Sequence, residues 1–207
     1  MSSIQTICVF AASSEAVSDA HRRVAAALGR AIAAEGWALV YGGGSVGLMG
    51  EVARDALAGG AHVTGVIPQR LVRDELVFKG VSELICTKTM RERKRIMDER
   101  SDAFVILPGG IGTLEELAEV LTLKQLGYHD RAVIILDDAG YWRPLLDQLQ
   151  RMIDERLAYP SLAELWQVTT DVPATIQALQ TYRPPWRLGP PKPGVVLETV
   201  EAPPDQA

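Results

Sequence analysis

The stretch that most constrains this chain is Leu107-Pro108-Gly109-Gly110-Ile111-Gly112-Thr113-Leu114-Glu115-Glu116. An apolar run, Ala103 to Leu107, precedes it, and Leu114, Leu117, Ala118 and Leu121 follow at helical spacing. The pattern predicts a strand, a glycine turn and a helix from Leu114. Amides that open a helix lack partners within it, and the helix dipole is positive there, so the turn suits a phosphate or another anion. Glu116 then sets a carboxylate beside the anion site. Two readings account for it. Thr113 and Glu116 match a capping box, which local pattern alone favours: threonine caps the third helical amide and glutamate reaches back to the threonine amide. In the other reading the carboxylate faces the ligand. A cap accepts glutamine in place of glutamate, so one substitution separates the two.

Strands are read at Ile4 to Ala11, Trp37 to Tyr41, Val63 to Ile67, Glu83 to Cys86, Ala103 to Leu107, Ala132 to Leu136 and Trp166 to Thr169. Helices are read at Ser18 to Glu35, from the Gly42 to Gly47 turn to Gly59-Gly60, at Met90 to Arg100, from Leu114, at Tyr141 to Arg156, and after Pro173. Gln69 to Gly80 reads as a loop with one helical turn. Strands that alternate with helices, several of them continuous apolar runs, predict an α/β fold. The expected form is a Rossmann-like parallel sheet covered by helices on both faces, three-layer α/β/α. Ligands in such folds bind beyond the carboxyl ends of the strands, where both glycine turns sit. Residues 1–183 are expected to form one domain and the proline- and acid-rich residues 184–207 a flexible tail.

The net charge of −5 gives no global basic field, so nucleic acid is not an expected partner and an anionic ligand needs a local cluster. No apolar stretch approaches membrane-spanning length and the N-terminus has no signal-peptide core, so no membrane partner is expected. Cys8 and Cys86 lie in apolar strand-like runs and read as buried free thiols, which fits a reducing, cytoplasmic setting. His21, His62 and His129 are scattered without ligand spacing, so no metal is expected.

Gly42, Gly44 and Gly47 match G-x-G-x-x-G, but a dinucleotide site also wants an acidic residue after the next strand, which here ends Val66-Ile67-Pro68. The turn reads instead as a tight backbone approach to a ligand or a neighbouring turn, or as glycines that only let helix and strand pack closely. The densest basic cluster is Arg91 to Arg95. Arg95 has Glu99 four positions on, and Lys94 has Asp98. Arg93 differs: its neighbours at helical spacing are Met90, Ile96 and Met97, so it lies on or beside the apolar face without an acidic partner in its own helix. A buried arginine wants a carboxylate or a phosphate. Because this helix leads into the strand before Pro108, Arg93 is expected to reach the site of Glu116. Lys94 is read either as a phosphate contact or as a surface pair with Asp98.

Met90-x-x-Arg93-Lys94, Ser101-Asp102-Ala103-Phe104 and Pro108-Gly109-Gly110-x-Gly112-Thr113-x-x-Glu116 together resemble the LOG family, the cytokinin riboside 5′-monophosphate phosphoribohydrolases, some once labelled lysine decarboxylases. The resemblance runs from the first strand to about Trp166. It implies hydrolysis of the N-glycosidic bond of a nucleoside 5′-monophosphate to an adenine-type base and ribose 5-phosphate, with no metal or organic cofactor. No lysine sits in a recognisable pyridoxal phosphate setting. By the same resemblance Arg93 and Glu116 would be the catalytic pair. Gly110, Ile111, Gly112 and Thr113 would hold the phosphate with Lys94 nearby, and Glu75 and Thr122 would line the substrate site. Ser14, Gly43, Gly44, Leu114 and Glu115 complete the expected substrate-binding set. A homodimer or larger assembly with the site near a subunit interface is also implied. Departures at Phe10-Ala11-Ala12 and Leu123-Lys124 bear on base preference more than on chemistry. The alternative is a non-catalytic nucleotide-binding or sensor module of the same fold.

Overall fold

Strand β1 (Thr6–Phe10) is the middle strand of a seven-stranded sheet in the computed structural model, which describes residues 4–72 and 77–184. The order runs outward from β1 through β2 (Ala38–Tyr41) and β3 (Val63–Pro68) to β4 (Glu83–Thr87). On the other side it runs through β5 (Ala103–Ile106) and β6 (Ala132–Leu136) to β7 (Gln167–Thr169). Every pairing is parallel, with Ile7 of β1 opposite Leu39 on one side and Ala103 on the other. Asp102 of the Ser-Asp-Ala-Phe run has a structural role here. Its Oδ2 accepts from the amides of Gln5 and Thr6, each at 2.9 Å, and so sets the start of β1 beside β5.

Side chains of a strand alternate between the two faces of a sheet, and β1 divides accordingly. Ile7 and Val9 join one apolar cluster, which packs with α1 (Asp19–Ala34), α2 (Gly47–Ala58) and α6 (Val172–Thr181). Cys8 and Phe10 join the other, with α3 (Met90–Glu99), α4 (Ile111–Gln125) and α5 (Arg143–Asp154). Helices cover both faces, so the expected three-layer α/β/α arrangement is present, and the inner strands are mostly apolar because neither face meets water.

Two expectations need correction. Cys86 is exposed rather than buried, because β4 is an edge strand and its outer positions are uncovered; Cys8 is buried, and both thiols are free. Helix α4 begins at Ile111, not Leu114, with Gly110 at its N-cap and no side-chain cap bond. A threonine cap opens α3 instead. Thr89 accepts from the Glu92 amide at 3.1 Å, while the Glu92 carboxylate accepts from the Lys88 amide at 2.8 Å. The expected helical turn after Pro68 is a short 3-10 turn, Gln69–Leu71, and a second one, Pro160–Glu164, follows α5. Of the expected tail only Pro184 lies within the described residues.

Helices α1 and α2 approach closely at Gly29, where a Cβ would lie 2.4 Å from the Val52 carbonyl oxygen and 2.9 Å from the Ala56 nitrogen. Backbone atoms cannot yield as a side-chain end can. Gly29→Ala gains about 1 kcal/mol of helix propensity but loses about 1–3 kcal/mol or more to overpacking. The expected outcome is a lower melting temperature; a higher one would show that the two helices separate freely.

Candidate active site

The side chains of Arg93 and Glu116 meet. Arg93, in the first turn of α3, donates from Nη1 to Glu116 Oε1 at 3.1 Å, and each residue is 8% exposed. Arg93 Nε donates to the Val66 carbonyl of β3 at 3.0 Å. The guanidinium is thus held between a strand and α4.

Gly42 leaves the space that the guanidinium occupies. A Cβ there would lie 2.1 Å from Arg93 Nη2. The other glycines of this turn join loops. Gly47 has φ +63° and packs so closely on the loop after β1 that a Cβ would come 2.6 Å from the Ala12 oxygen. The Ala12 amide donates to the Pro108 carbonyl at 3.0 Å, and the Met49 amide donates to Ala12 at 3.2 Å. The loops after β1, β2 and β5 are therefore one bonded unit at the carboxyl edge of the sheet. The G-x-G-x-x-G pattern serves close approach to neighbouring turns and to Arg93.

Beside this pair α4 opens. Its first-turn amides, at Ile111, Gly112 and Thr113, have no preceding helical turn to bond to, and Ile111 and Gly112 are exposed. Thr113 is the third helical residue, not the cap. It is buried, and its side chain folds onto Gly109, where a Cβ would lie 2.1 Å from Thr113 Oγ1. The capping-box reading of Thr113 and Glu116 is overturned: the Glu116 carboxylate belongs to Arg93. The open start of α4 offers free amides to an anion, and a buried carboxylate lies in the same helix.

Burial is the largest influence on Glu116 and raises its pKa; Arg93 opposes this and Glu115 reinforces it, leaving the carboxyl above the ordinary 4.5. Desolvation outweighs the ion pair. Lys94 does not pair with Asp98, which bonds Arg131. It reaches across to α4, to Glu119 at 2.9 Å and to Glu115. Burial works against its charge, but the two glutamates prevail and its pKa is raised. Arg95 and Glu99 pair as expected, at 2.8 Å.

The remaining expected residues are more dispersed. Ser14 is exposed; its Oγ accepts from the Ala16 amide at 3.2 Å, and its backbone borders Gly47. The Gly43 carbonyl accepts from the Phe78 amide at 3.1 Å, and Gly44 bridges Val77. Leu114 is half-buried on α4. Thr122 is not brought to the pair: its hydroxyl donates to the Ala118 carbonyl at 2.7 Å, and it lines a groove between α4 and α5. Glu75 lies outside the described residues. Among the described residues no three His, Cys, Asp or Glu converge as metal ligands. His129 is half-buried, its pKa lowered to about 4 chiefly by desolvation, with Nε2 3.0 Å from the Val120 oxygen. The Val66 carbonyl was not legible in the sequence, because a backbone acceptor leaves no residue signature. The sequence showed Gly42 only as part of a turn motif.

A family model described as "possible lysine decarboxylase" matches residues 49–179. The chain is similar to cytokinin riboside 5′-monophosphate phosphoribohydrolase LOG3 of Arabidopsis thaliana, with 39% identity over 183 residues, 88% of this chain and 85% of the relative. It is similar to the cytokinin riboside 5′-monophosphate phosphoribohydrolase of Mycobacterium tuberculosis, with 42% identity over 173 residues, 84% of this chain and 92% of the relative. Among solved structures it resembles the molybdenum cofactor binding protein of Rippkaea orientalis, with a TM-score of 0.66 and 25% identity, over 86% of this chain and 96% of that one.

Gly42→Ala tests the site's architecture. The new methyl meets the end of a flexible side chain, so folding is expected to survive while the guanidinium moves. A melting temperature near wild type with at least a tenfold loss of ligand affinity or turnover is expected; unchanged function would mean that Arg93 need not lie against Gly42.

Proposed function

We propose that this chain, which belongs to the LOG family, hydrolyses the N-glycosidic bond of a nucleoside 5′-monophosphate of the cytokinin type, releasing an adenine-type base and ribose 5-phosphate. The observation that carries this reading is the buried Arg93–Glu116 pair beside the open start of α4. In this mechanism the 5′-phosphate rests on the amides of Ile111 to Thr113, with Gly110 at the cap and the Lys94 ammonium on the flank. Ser14, Gly43 and Gly44 border the sugar at the sheet edge. Anchoring the phosphate fixes C1′ against Glu116.

As the bond from C1′ to the base nitrogen breaks, its electron pair leaves with the base and positive charge builds on the ribose. The Glu116 carboxylate stabilises that charge and takes a proton from water. The water oxygen bonds to C1′ and the base gains a proton, so one water is consumed. Arg93 holds the carboxylate in place and favours its ionised form against the effect of burial.

The likeness to a cofactor-binding protein favours a second reading, a non-catalytic nucleotide binder of the same fold. Turnover decides between them. Glu116→Gln retains an acceptor for Arg93, and kcat/KM for adenine release from AMP-type substrates is expected to fall roughly 10²–10⁴-fold. Equal activity in the variant would overturn the role of Glu116. No release of base by the wild type over hours would leave the binder.

The pH dependence follows from the raised pKa of Glu116. Glu116 acts when ionised, so kcat/KM of the wild type is expected to rise with pH through a midpoint above 4.5, a limb that Glu116→Gln removes. For stability the sign is opposite. A carboxyl raised by folding stabilises the fold below its unfolded pKa, and this is lost as pH rises through the folded value. At neutral pH the ionised group therefore detracts from stability.

We also infer a homodimer. Helix α5 has no buried residue, although Leu145, Leu146, Leu149, Met152 and Ile153 share one side of it. A groove of about 890 Å³ separates this helix from Leu121 and Thr122 of α4, and Leu157 and Tyr159 on its rim are 76% and 78% exposed. A second copy of this chain would cover that apolar surface near Thr122. The free thiols fit the cytoplasmic location expected above. Sedimentation of the wild type as a dimer and of Leu149→Asp as a folded monomer is expected; a monomeric wild type would refute the assembly.

A further inference from the structure

We propose that Tyr141 is a positioning residue for the phosphate: its hydroxyl fixes the Gly109–Gly110 peptide and so makes the site prefer 5′-phosphorylated over unphosphorylated nucleosides. The proposal rests on the hydrolase reading only for the identity of the molecule that carries the phosphate.

The Gly109–Gly110 peptide lies between two glycines, which impose the least restriction on the dihedrals at either end. Its neighbours are held. The Pro108 carbonyl accepts from Ala12 at 3.0 Å, and the Gly110 carbonyl accepts from Leu114 at 3.0 Å as the first bond of α4. Between them, the Gly109 carbonyl accepts from Tyr141 Oη at 2.5 Å. In a trans peptide the carbonyl and the following N–H point in opposite directions. With the Gly109 oxygen turned to Tyr141, the Gly110 N–H is aimed away from it. We take the Gly110 N–H to face the phosphate beside the Ile111 to Thr113 amides; once released, the peptide can flip and turn the Gly109 carbonyl oxygen toward it instead. The flipped form repels phosphate but changes little for an unphosphorylated ribose.

Tyr141 is itself fixed from two sides. Its ring stands edge-on to Trp142, with centroids 5.0 Å apart at 81°, and edge-on to His21, at 6.3 Å and 77°. The Trp142 amide donates to the Asp137 carboxylate at 3.0 Å, which anchors this turn to the end of β6. The hydroxyl thus arrives from the neighbouring strand's loop, 32 residues away in sequence. The tyrosine is 47% exposed, so its hydroxyl has water available and is still committed to one backbone carbonyl of the anion turn.

Tyr141→Phe keeps the ring contacts and removes the hydroxyl. Calorimetric titration with ribose 5-phosphate and with ribose reads binding apart from turnover. The expected result is about a tenfold weaker affinity for ribose 5-phosphate, the scale of one hydrogen bond, with ribose binding and melting temperature unchanged. In kinetics KM for AMP rises by a similar factor while kcat stays within about threefold. Unchanged ribose 5-phosphate affinity in the variant, or a wild type that does not bind ribose 5-phosphate, overturns the proposal. If the wild type binds ribose 5-phosphate, the variant binds it more weakly and neither releases adenine, the positioning role is upheld and the hydrolase reading fails.

Discussion

Taking a guanidinium and a carboxylate out of water together is expensive, and their mutual attraction offsets that only with good geometry and further hydrogen bonds. Arg93 and Glu116 meet this requirement incompletely. Arg93 has Val66 as well as Glu116, whereas no protein donor other than Arg93 is described for Glu116. Its carboxyl accordingly remains above the ordinary glutamate value although a cation lies 3.1 Å away. A carboxylate held in this state suits a group that must meet a developing positive charge. The rest of the architecture keeps this pair in place: β3 supplies a carbonyl, Gly42 supplies space, and α3 and α4 supply the two side chains.

The anion site is coupled to the pair through the backbone. The start of α4 is aligned by the Pro108–Ala12 bond on one side and Tyr141 on the other, and Glu116 follows within the same helix. The first-turn amides and the Glu116 carboxylate are therefore carried by one helix, which would position a phosphate and a sugar together. Lys94 crosses from α3 to this helix and is held there by Glu115 and Glu119.

Much of this was legible in the sequence because hydrophobic period and glycine placement are local. Continuous apolar runs identified the inner strands, and the apolar neighbours of Arg93 marked it as buried and in need of a partner from elsewhere. The failures have a common cause in tertiary context. Thr113 and Glu116 fit a capping box, but Gly110 accepts the cap position and starts α4 three residues earlier than the apolar pattern suggested. Lys94 and Asp98 have the spacing of a surface pair, but α4 lies close enough to offer two carboxylates to Lys94, while Arg131 takes Asp98. Cys86 lies in an apolar run, yet strand order, which no local pattern reveals, puts it on an edge. Tyr141 gave no signal because its partner is a backbone oxygen.

A double-mutant cycle on kcat/KM for adenine release from AMP, with Arg93→Met, Glu116→Gln and the pair, tests most directly whether these two residues act as one unit. If they do, the double variant is hardly slower than the worse single variant, because either change dismantles the same arrangement. If instead the two losses multiply, each residue acts alone and the account of a coupled, buried catalytic pair is wrong.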